Sequence, residues 1–184
     1  MPLLELALIV VGAMLALALE DWQEERERVE RARELLTLVS AEMQSNLQRL
    51  EQRVTYHRDM RQPILDSAAM MRNEAVFSLP DGWQGSKPIV LTKTAFELAA
   101  SSNALVMLPP ATALQLAEVY DEVALTEVRR NNTALVTLQT DFSDGIRYLR
   151  LLVVAIDIEV TAAETLVPAL GDAIDVLDAE LEAL

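Results

Sequence analysis

The chain contains no cysteine, which excludes disulfides, thiolate metal sites and cysteine nucleophiles. It contains one histidine, His57, and a lone imidazole without thiolates cannot assemble the usual zinc site. Its neighbours in helical register, Arg53, Arg58 and Arg61, disfavour a charged ring, so His57 is expected to be structural or on the surface. Glycine is scarce, at five residues, and no phosphate loop, nucleophile elbow or dinucleotide-binding glycine pattern occurs. No Glu-x-x-His pair of the di-iron type is present. Lysine occurs only at Lys87 and Lys93. The net charge of −14 argues against nucleic acid, which needs a basic face to displace counterions. Neither a cofactor, a metal site nor an enzymatic activity is expected.

What the chain does have is aliphatic bulk. Apolar residues make up 52% and aromatic residues only 4%. A core of Leu, Val, Ala, Ile and Met with few β-branched runs favours an all-α fold.

Leu3 to Leu19 is a run of 17 residues with a single charge, Glu5. As a helix it measures about 26 Å, at the short end for a bilayer span. It has no polar stripe of the kind a soluble helix carries. The small residues around Ala16–Ala18 have the look of a signal-peptide cleavage site, but no basic segment precedes the run. A retained transmembrane anchor, residues 1–21, is therefore expected. Trp22 then falls at the headgroup level. Glu5 falls in the first turn, near the interface and the positive end of the helix dipole. Gly12 and Ala16 form a small-xxx-small pair that suits close approach of another membrane helix. Arg26, Arg28, Arg31 and Arg33 follow the span but alternate with glutamates, so the charge rule alone leaves the orientation open.

From Glu20 to Arg61 there is no glycine or proline. Leu36, Val39, Met43, Leu47, Leu50 and Val54 recur at steps of three and four, one apolar stripe of a long helix. Residues 22–61 are read as a charged stalk running into the first bundle helix. Residues 62–184 are read as the remainder of an α-helical extramembrane domain. Pro63 is expected to start or kink a helix. A loop is expected at about 78–90, where Pro80, Pro88 and the Asp81-Gly82 turn pair occur. Asp81, Gly82 and Trp83 in it form a candidate partner-contact loop. Thr94 and Glu97 resemble a capping box, with Asn103 as the stop. A helix is expected from Pro109 or Pro110, with an apolar face of Leu114, Ala117, Tyr120, Val123 or Ala124, Val128, Ala134 or Leu135, and Leu138. Asp144-Gly145 is a break. The last helix has Pro168 and Gly171 as a kink or restart, and from Ser143 onward it holds 9 acids against 2 arginines.

The stretch from Glu5 to Asn46 resembles the N-terminal signature of a family of small bacterial single-span membrane proteins of unknown function. Glu5 opens the apolar run, Gly12 sits mid-span, Trp22 follows it and Arg26 opens the charged helix. The block from Leu91 to Tyr120 resembles the family's later motif through Thr94, Ala95, Phe96, Ser101, Ser102 and Tyr120. The resemblance implies a bacterial inner-membrane location with the C-terminal domain in the periplasm. It supplies no activity.

The expected architecture is one N-terminal transmembrane helix continuing into a stalk helix and an antiparallel helical bundle of four or five helices. The expected role is a non-enzymatic structural or accessory subunit. Its partners would be the lipid bilayer and other membrane protein subunits, or itself as a homo-oligomer. The alternative is a membrane-anchored sensor or small-ligand-binding module, with Met70, Met71, Met107 and the loop around Trp83 lining its pocket.

Overall fold

The computed structural model describes residues 2–74, 77–139 and 144–184, with side-chain surroundings given for residue 12, 14–72, 77–139 and 144–184. Among these residues the fold is all-helical. Helix α1 spans Pro2–Glu74, α2 Thr94–Ser101, α3 Pro110–Leu138 and α4 Gly145–Ala183, with a single 3₁₀ turn at Ala104–Met107.

The predicted stripe on α1 is the backbone of the core. Leu36, Val39, Met43, Leu50 and Val54 are buried, and Leu47 packs against them. Their partner is α4, through Ala162, Leu166, Leu170, Ala173 and Leu177. The two helices run antiparallel. Ser40 Oγ donates to Asp178 Oδ1 at 2.7 Å, and Arg61 Nε donates to Asp157 Oδ1 at 2.6 Å. Helix α3 packs against α4 and points the same way as α1, since Tyr120 lies opposite Glu42 and Arg130 opposite Glu159.

The second leg of the bundle is mostly not a helix. Residues 83–93 form an extended strap that descends along α1, with Gly85 beside Tyr56, Val90 beside Arg49 and Thr92 beside Asn46. Pro80 and Gly82 just before this segment, and Gly85 and Pro88 within it, deny it helical dihedrals and donors. The turn into it is closed by Trp83 N–H on Pro80 O at 3.2 Å. Gly82 supplies the φ of +81° that the third position of a type II turn requires. The topology is up-down-up-down, with a strap plus the short α2 in place of one helix.

Several expectations are corrected. Of the start or kink expected at Pro63, the start is excluded, because α1 passes through it to Glu74. The turns on either side are held by Ile64 and Met60 in a second, distal core cluster and by the Arg61–Asp157 pair. The restart expected at Pro168 and Gly171 is likewise excluded, since both lie inside α4, with Pro168 between buried Leu166 and Leu170. There is no capping box at Thr94: the N-cap is Lys93 and makes no side-chain cap. The apolar face expected on α3 is half wrong. Tyr120 and Val123 are buried with Thr112, Leu116, Val119 and Thr126, whereas Leu114, Val128, Leu135 and Leu138 are exposed. Asn103 does end α2, in the left-handed region at φ 58°.

Among the described residues no helix is long and apolar enough to cross a membrane. Most of the apolar run Leu3–Leu19 lies outside the side chains described.

Candidate interaction surface

The polar groups of the interior serve the strap. Glu42 on α1 accepts from the N–H groups of Ala95 (3.1 Å) and Phe96 (3.3 Å) and from the Tyr120 hydroxyl (2.9 Å). It thus caps the first turn of α2 from another helix and ties α3 to both. The Tyr120 ring stacks on Phe96 with centroids 4.2 Å apart. Burial raises the Tyr120 pKa far above its ordinary value, helped by the Glu42 charge and by the hydrogen bond to it. Asn46 is fully buried and pairs with the Thr92 peptide on both sides, its Nδ2 donating to Thr92 O (2.7 Å) and its Oδ1 accepting from Thr92 N–H (2.9 Å). His57 is also fully buried. Its Nε2 lies 2.9 Å from Ser86 O, so Nε2 carries the proton. Nδ1 has no partner among the described residues.

Glu159 on α4 lies under the strap. Arg130 grips it with Nε at 2.7 Å and Nη2 at 3.0 Å, with side-chain exposures of 19% and 5%. Beside this pair a cleft of about 390 Å³ opens between α3 and α4. Its walls include Ala134, Thr137 and Leu138 on α3, Ala155 and Ile158 on α4, and Pro88 on the strap. The buried residues of α3 end at Thr126. Beyond it Val128, Leu135, Val136 and Leu138 are 45–75% exposed, and Val154 on α4 is 47% exposed.

A second uncovered region is the start of α1. Every described side chain from Met14 to Arg28 is exposed, including Leu15 at 66% and Leu17 at 60%. Nothing lies within 4 Å of a Cβ built on Gly12, and Ala16 is exposed. Trp22 is exposed, with the Arg26 guanidinium 5.0 Å from its ring centroid. The side chain of Glu5 lies outside those described. The pairs Arg28–Glu25, Arg31–Glu27 and Arg26–Glu30 decorate the following turns and add little to stability at such exposure.

In the loop singled out by sequence, Asp81 and Gly82 are exposed, while Trp83 is half-buried and stacks on Tyr56 at 6.3 Å. The four residues assigned to a ligand pocket are not brought together. Met107 packs in the proximal core, Met71 and Trp83 in the distal one, and Met70 is exposed. Sequence reasoning missed Glu42, Asn46 and Glu159, which read there as ordinary polar positions. The only signal for them was their spacing into the apolar stripes. Among the described residues no group of three or more His, Asp or Glu is placed to hold a metal ion.

No protein-family model, no curated protein and no solved structure matches the chain.

Proposed function

We propose that this protein is a membrane-anchored helical module that acts as a structural or accessory subunit, docking on a larger membrane protein complex or assembling with itself, without chemistry of its own. The observation that carries the reading is the uncovered start of α1. Met14, Leu15, Leu17 and Leu19 are 54–66% exposed and belong to neither core cluster of the described residues. Apolar side chains at this density on one helix demand a nonaqueous cover, and a bilayer supplies it. With Leu3–Leu19 as the span, Trp22 and Glu5 mark its two interfaces, and Gly12 and Ala16 offer a face to a second membrane helix. The charged turns up to Arg31 hold the bundle about 15 Å from the headgroups. Following the family resemblance, the bundle lies in the periplasm of a bacterial inner membrane.

The test exploits the absence of cysteine. Ser101→Cys gives a single thiol on the exposed end of α2. In intact cells of a Gram-negative host, the full chain is expected in the membrane fraction after alkaline carbonate washing. It is also expected to react with a membrane-impermeant maleimide before lysis. Release by carbonate would sink the anchor. Labelling only after lysis would reverse the orientation.

A further inference from the structure

We propose that the groove beneath the strap is a binding site for an extended peptide, gripped by its backbone, which the chain's own strap fills and an extended segment of a partner protein takes over. The inference rests on the accessory role above and names how the partner docks.

The strap is bound as a peptide ligand is bound. Along residues 83–91 burial alternates. Trp83, Gly85, Lys87, Ile89 and Leu91 are buried or half-buried, while Gln84, Ser86, Pro88 and Val90 are exposed. That is the period of an extended chain lying on a surface. The groove then holds the chain by its peptide groups. The Tyr56 hydroxyl accepts from Gln84 N–H (3.0 Å) and donates to Gly85 O (2.8 Å). His57 Nε2 donates to Ser86 O, and Arg49 Nη1 to Val90 O at 3.0 Å. Glu159 accepts from Ile89 N–H at 3.4 Å, and Asn46 closes the row on the Thr92 N–H and C=O. Among the described residues, the one hydrogen bond from α1 or α4 to a strap side chain is that of Asn46 with Thr92 Oγ1. Recognition through main-chain groups gives affinity, and the alternate inward positions give specificity. Ile89 is the strap's one fully buried side chain, at 1% exposure. An extended segment with an aliphatic residue at that place satisfies the same groups.

The groove is built independently of its occupant. Asn46, Arg49, Tyr56 and His57 all stand on α1, and Glu159 is fixed by Arg130. The occupant is imperfect by contrast. Lys87 holds φ at 40°, a conformation that glycine adopts without steric cost and other residues do not. The strap's advantage is its tethering, which is equivalent to an effective concentration of about 1 mM. A partner held in the same membrane competes on similar terms.

The experiment titrates the full chain, nitrogen-15-labelled and in nanodiscs, with an unlabelled synthetic peptide of residues 83–93. The label separates the chain's own fragments from the probe, and hydrogen exchange of segment 84–92 reads displacement of the strap. Half-displacement is expected at about 1 mM, the strap's own effective concentration. A Lys87→Gly peptide is expected to act at about tenfold lower concentration than a Lys87→Ala peptide. N-methylation at Ile89 and Thr92 removes two N–H donors and is expected to weaken the probe at least about tenfold. A Val90→Thr peptide, altered at an exposed position, is expected to differ by less than about twofold. A scrambled peptide acting equally, or indifference to N-methylation, would overturn the proposal. So would unchanged exchange of the strap at about 10 mM peptide. These failures leave the accessory role standing, because the carbonate test of the anchor does not involve the groove. Release by carbonate with a strap that the peptide still displaces would keep the groove and sink the anchored role.

Discussion

At the scale of single residues, stability is concentrated in a few polar groups that hold the strap and α2. Glu42 satisfies three donors at once. Glu42→Ala leaves two backbone N–H groups and a hydroxyl without it, and is expected to cost about 2–3 kcal/mol, read from denaturant unfolding. The Tyr120 phenol gives a pH signature. Its folded pKa lies above the ordinary 10.0, so its contribution is complete below pH 10. The contribution declines as the unfolded phenol ionises at higher pH. Tyr120→Phe should therefore remove up to about 1.4 kcal/mol per pH unit from the alkaline slope of stability. Lys87 holds φ at 40°, a left-handed conformation that costs a side chain about 1–2 kcal/mol. Its ammonium lies 4.7 Å from the Tyr56 ring centroid. Lys87→Gly is expected to be more stable than Lys87→Ala by about 1 kcal/mol, since both lose the ring contact and only glycine loses the strain; paired thermal melts decide it. Gly145 is constrained by space instead. A Cβ there would lie 2.5 Å from Met71 Cε and 2.7 Å from the Phe77 ring.

At the scale of elements, the helices were legible because their apolar periods are strong. The stripe from Leu36 to Val54, the start at Pro110 and the stop at Asn103 all follow from local pattern. That the helices continue through their two internal prolines was not legible. A proline weakens a helix locally, but whether the helix survives depends on what its flanking turns bury, and that lies a hundred residues away in sequence. Pro63→Ala restores a donor toward the carbonyl four residues back. It is expected to stabilise α1 by about 1 kcal/mol or more, measured as a raised unfolding midpoint. The face of α3 misled for a different reason. It has two apolar faces, one in the bundle and one outside, and periodicity cannot say which is covered. The exposed one is part of the candidate site, so the site was present in the sequence but read as core. Conversely, Glu42, Asn46 and Glu159 are marked locally only by their spacing into the apolar stripes, because their partners are backbone groups, the Tyr120 hydroxyl and a distant arginine.

At the scale of the whole molecule, the bundle and the exposed start of α1 are energetically separate. The described side chains from Met14 to Arg28 are exposed and the packed core begins at Ala32. Removing residues 2–21 is therefore expected to leave the thermal midpoint of the bundle within about 2 °C, because distant sites with no shared contacts behave additively; circular dichroism of both forms checks it. A large loss of midpoint would mean that the apolar segment folds back on the bundle.

The pairing of α1 with α4 also has a consequence during synthesis. The Ser40–Asp178 bond joins residues 138 positions apart. At roughly 5–20 residues per second, α1 waits on the order of 7–28 s after leaving the ribosome before its main partner exists. Through that interval its apolar stripe is bare, apart from what the strap, α2 and α3 cover as they arrive. Any product halted before α4 leaves the α4-facing part of the stripe bare permanently. Such fragments present to a protease or chaperone the surface that α4 otherwise hides, so arrival of α4 is the step that closes this exposure.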